Sequence, residues 1–121
     1  MPKELLNYSR PFQLWEYTVG HSQLLLRSPK TADLPTRIDI LFKNVGGIHL
    51  PINLDSLRIS EAIEGEVVDP PLALGMKVSK GRKLFVLRGS DFAGYVIAGA
   101  LAWHEDAGEY HDPSFFSLKP S

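Results

Sequence analysis

Residues 94–112 read GYVIAGALAWHEDAGEYHD, and whether 94–103 forms a strand or a helix decides the fold. As a strand it places Tyr95, Ile97, Leu101 and Trp103 on one face and Val96, Ala98, Ala100 and Ala102 on the other, because strand side chains alternate with period two. Neither face is polar, so burial on both sides is expected. The all-small face invites close packing by another sheet, a helix or a ligand. The competing reading is a helix over 91–107 with Ser90 as N-cap and Gly108 just past its end. The alanines favour that helix, while Gly94, Gly99 and the β-branched pair Val96-Ile97 oppose it. The strand reading is preferred. The apolar run is also too short to cross a bilayer as a helix, which needs about 20 residues.

The second half of the stretch carries His104, Glu105, Asp106, Glu109, His111 and Asp112, all capable of acid–base work or metal ligation. On a strand continuing past Trp103, His104 and Asp106 point to one face. Gly108 then ends the run, and Asp112-Pro113 reads as a turn. A loop here could gather His104, Asp106, Glu109 and His111 around a divalent metal, since two histidines and a carboxylate make a common ligand set. The spacing matches neither HExxH nor a cupin-type histidine pair. A solvated acidic turn is the preferred reading, so a divalent metal is a possible cofactor but not the favoured one.

Upstream, Phe12 to Val19 reads as a strand with Trp15, Tyr17 and Val19 on one face. Gly20-His21 turns it back into a partner over 22–28. Residues 36–43, TRIDILFK, give the clearest alternation in the chain. Ile38, Ile40 and Phe42 face in, Arg37, Asp39 and Lys43 face out, and Leu41 is the exception. Arg37 and Asp39 could pair on the exposed face, a contact worth only ~0–1 kcal/mol. Residues 48–54 form a further strand, placed at a sheet edge by Pro51, which removes a ladder donor. Strands over 57–63 and 83–88 follow, with an extension over 64–68 past Gly65 and a long irregular connection over 69–82. Residues 1–10 read as a polar arm or a helical turn, and 114–118 as a last short strand.

About seven to nine short strands at near-regular spacing, without a convincing amphipathic helix, predict a single all-β domain: an antiparallel sandwich or a small barrel. The 121 residues are enough for a core without staples, and 44% apolar with 22% charged is ordinary for a globular chain. A net charge of −1 with scattered signs argues against nucleic acid as a partner. The lack of cysteine excludes disulfides, thiolate metal sites and a cysteine nucleophile. The opening MPKELLNYSR has no apolar core of the secretory kind, so a cytoplasmic location with no membrane partner is expected.

No phosphate loop and no GxSxG elbow is present, which leans against an enzyme without deciding the matter. Arg27, Arg37, Arg58, Arg82 and Arg88 lie on separate segments. Several could converge on a carboxylate or phosphate, although the simpler expectation is that each covers a sheet face. His21 and His49 read as surface residues. Three functional readings remain. The first, preferred, is a non-enzymatic module that self-associates or binds a protein partner, because two-sided apolar strands in a short chain are most simply buried by another copy. The second is a small-ligand barrel with a pocket between Trp15, Tyr17, Tyr95 and Trp103. The third is metal binding or metal-dependent catalysis in the 104–112 loop.

Overall fold

The structure is a computed structural model that describes residues 3–62, 81–109, 114 and 116. The strands are β1 (Lys3–Tyr8), β2 (Phe12–Thr18), β3 (Gln23–Ser28), β4 (Arg37–Lys43), β5 (Gly47–His49), β6 (Asn53–Leu54), β7 (Leu57–Glu61), β8 (Lys83–Arg88), β9 (Ala93–Ala98) and β10 (Ala100–Asp106). They form two five-stranded sheets, β1-β7-β8-β9-β5 and β10-β4-β3-β2-β6, in which every pairing is antiparallel. The architecture is the expected all-β kind, and of the two forms foreseen it is sandwich-like rather than a closed barrel.

Strand alternation builds the core. Leu24 and Leu26 of β3 and Ile38, Ile40 and Phe42 of β4 meet Leu57 and Ile59 of β7, Phe85 and Leu87 of β8, and Val96 and Ala98 of β9. Phe42 and Phe85 join the two sheets through an edge-on ring contact at 5.4 Å. Aromatic pairs of this geometry add to the stabilisation from burial alone.

The run that decides the fold is two strands, not one. It breaks at Gly99: β9 belongs to the first sheet and β10 to the second. Their partners change sheets at the same level. β4 pairs with β10, β5 pairs with β9, and the link passes through Asn44, which adopts a left-handed φ of 55°. Asn tolerates that conformation better than most residues. Gly99 donates to Lys43 O at 2.8 Å, Gly46 donates to Ile97 O at 2.7 Å, and a Cβ on Gly99 would sit 3.0 Å from the Asn44 side chain. A bent two-stranded ribbon therefore closes one side of the sandwich. The bend separates residues that a single straight strand would have put on one face. Val96 and Ala98 enter the core, Tyr95 and Ile97 are buried on the other face of the first sheet, and Ala102 lies on the outward face of the second.

The helix over 91–107 is not formed. The strand expected over 48–54 is divided around Pro51 into β5 and β6, each at the edge of its own sheet, as the proline requires. Residues 3–8 form β1, not a polar arm or a helical turn. The β2–β3 connection is a short 3-10 turn, Val19–His21, closed by Ser22 at a φ of 50°. The extension over 64–68 and all but the end of the 69–82 connection lie outside the described residues, as does most of the 114–118 strand, where Ser114 and Phe116 are not in strand conformation.

Candidate functional site

On the face of the second sheet that points away from the core, β3 and β4 carry buried charges. The Arg27 guanidinium meets the Asp39 carboxylate at 2.7 and 3.0 Å, and both side chains are 2% exposed. The ladder sets this geometry, since Arg27 of β3 stands directly opposite Asp39 of β4. Trp15 caps the pair, with the Arg27 guanidinium carbon 4.8 Å from the ring centroid. Such stacking suits a planar, weakly hydrated cation. One row along, Arg37 donates to both Asp106 oxygens at 3.2 Å and to Glu109 O at 3.1 Å. The exposed Arg37–Asp39 pair expected from the sequence is not formed. Cross-strand register offers each residue a closer partner than the one two places along its own strand, and both residues are buried.

The candidate metal ligands stand around this layer. His104 faces Asp39 in the β4–β10 ladder and has its Nε2 3.6 Å from Asp106 Oδ2, so His104 and Asp106 do share a face. Partial burial pushes the Asp106 carboxyl up, but the Arg37 guanidinium, the Gly108 N–H and His104 together outweigh it and hold the pKa below the ordinary carboxylate range. The Glu109 carboxylate accepts from Lys30 Nζ at 2.6 Å. The carboxylates of Asp106 and Glu109 are thus each engaged by a cation of the chain. His111 lies outside the described residues, and among those described no cluster of three or more ligating side chains is assembled.

The four aromatics proposed to line a pocket are distributed. A bulge between Leu14 and Glu16 shifts the alternation of β2, so Trp15 joins the Arg27 face while Tyr17 is in register with the core residue Leu24. The sequence pattern, which assumed an unbroken strand, put these two on one face. Tyr95 belongs to the first sheet and is 3% exposed. Trp103 lies on β10, separated from β2 by β3 and β4.

On its other face, the one it shares with Ile40 and Phe42 of the core, β10 carries Leu101 and Trp103. Among the described residues it pairs only with β4, it is seven residues long, and Trp103 at its centre is 48% exposed. No family model, curated protein or solved structure matches the chain, and no helix among the described residues is long and apolar enough to cross a membrane.

Proposed function

We propose that this chain is a non-enzymatic β-sandwich module that associates with a second copy of itself through the outer edge of β10. The observation that carries the reading is the half-exposed Trp103 in the middle of a seven-residue outermost strand. Edge strands are commonly blunted by shortness, proline or lysine because their backbone groups template pairing. β10 has neither proline nor lysine and carries its charges only at one end, at Glu105 and Asp106, whereas the opposite edge of the same sheet, β6, is only two residues long. Tryptophan is also among the side chains enriched where association energy concentrates.

A two-fold axis through Trp103 pairs β10 antiparallel with its copy and joins the two second sheets into one. That register sets Trp103 against Trp103, Ala102 against His104, Leu101 against Glu105 and Ala100 against Asp106, with no like charges directly opposed. Native mass spectrometry at two protein concentrations tests it. The expected result is a dimer that grows with concentration and is abolished by Trp103→Arg. A monomer at every concentration overturns it.

A further inference from the structure

Three turns meet at one end of the first sheet: the residues after β1, the β6–β7 turn and the β8–β9 turn. They enclose an open cleft of about 540 Å³ lined by Asn7, Asp55, Ser56, Arg58, Arg88 and Ser90 among others. This volume falls within the usual range of small-ligand sites, ~300–1,000 Å³. Arg58 and Arg88 are directly opposite one another in the β7–β8 ladder, and both are exposed. Like charges so placed destabilise a sheet, because their Cβ atoms are only ~5 Å apart. The partner on Arg58's own side is a loose one, Glu4 at 3.4 Å with both side chains more than half exposed.

The donors around the arginines are ordered by the turns. Asp55 accepts the Ser90 N–H at 3.2 Å, and the Ser56 and Ser90 hydroxyls lie 3.5 Å apart. The Ser90 hydroxyl and nearby backbone N–H groups hold the Asp55 carboxyl below its ordinary pKa, so its charge is satisfied within the turn. Gly89 permits this closeness. A Cβ there would lie 2.3 Å from the Phe92 ring and 2.6 Å from Asp55 Oδ1.

We propose that this cleft binds the phosphoryl group of a small molecule, held between the Arg58 and Arg88 guanidinium groups with the Ser56 and Ser90 hydroxyls as further donors. Paired guanidiniums match the geometry and the double charge of a phosphoryl group, and an anion between them removes their mutual repulsion. This site is independent of the β10 edge and stands or falls separately from it.

Titration of the full chain with inorganic phosphate, followed by amide NMR at constant ionic strength and neutral pH, tests the proposal. Saturable shifts are expected at Gly89 and Ser90, weakened about tenfold or more by either Arg58→Gln or Arg88→Gln. Lys83→Gln removes the same charge at the other end of β8 and should leave binding unchanged. Both arginines are exposed, so the folded state of each variant is checked simply by its unchanged spectrum elsewhere. The proposal is overturned by absent or non-saturating shifts, by equal binding of acetate, or by equal weakening in all three variants.

Discussion

On the outward face of the second sheet Arg27 and Asp39 are bonded to each other and sealed from solvent, whereas at the end of the first sheet Arg58 and Arg88 stand side by side in the open. The same residue type on equivalent strand positions is used in two ways, and cross-strand register makes the difference. Where the ladder sets Arg opposite Asp, the charges neutralise each other and Trp15 stacks over the guanidinium. Where it sets Arg opposite Arg, two like charges share an exposed stretch of the sheet. The second sheet therefore offers a partner little charge from that layer; what it presents is the β10 backbone edge and Trp103. The first sheet offers charge.

The largest expected effect breaks the sealed pair. Asp39→Ala strands the buried Arg27 guanidinium and should cost about 3–5 kcal/mol in urea unfolding, while the double change Arg27→Met/Asp39→Leu should restore most of that loss. A cost below about 1 kcal/mol for the single change would mean that the pair is not buried as described.

Asp106→Asn should have a smaller effect, and one that depends on pH. The Asp106 pKa lies below its unfolded value of about 3.9, so its ion pair with Arg37 contributes fully above that pH and fades as the pH falls through the folded pKa. The stability gap between wild type and Asp106→Asn, measured by thermal melting across pH, should be widest near neutrality and should close in acid. A gap that widens in acid contradicts the assignment.

The smallest effect belongs to the open side. Arg88→Gln should change unfolding stability by no more than about 0.5 kcal/mol, and in the stabilising direction, because it relieves a like-charge pair. A clear loss of stability would show that Arg88 is a structural residue of the turn.

These contrasts follow from how much of the molecule its sequence could disclose. β3, β4 and β8 were legible because their alternation or apolar content is strong and local. β1 was not, since a bulge between Glu4 and Leu6 hides its period in KELLNY. The break at Gly99 had a visible signal, a glycine in a strand pattern, but its consequence depends on Asn44 and Gly46 across the ladder. The dense cluster at 104–109 has the residue types of a reactive or metal-binding site, yet Arg37 and Lys30, distant in sequence, engage the carboxylates of Asp106 and Glu109. Conversely, the Asn7, Asp55, Ser56, Arg58, Arg88 and Ser90 cleft is assembled from three separate turns, so no window of sequence contains it. Register, which couples residues far apart in the chain, is the quantity that local pattern does not supply.

The central claim, that β10 pairs with its own copy, is tested most directly by hydrogen exchange of the β10 amides at low and high protein concentration. Association through this edge predicts that amides of Ala100–Asp106 pointing away from β4 gain protection as concentration rises, and that Trp103→Arg removes the gain. Protection that is identical at both concentrations would contradict it.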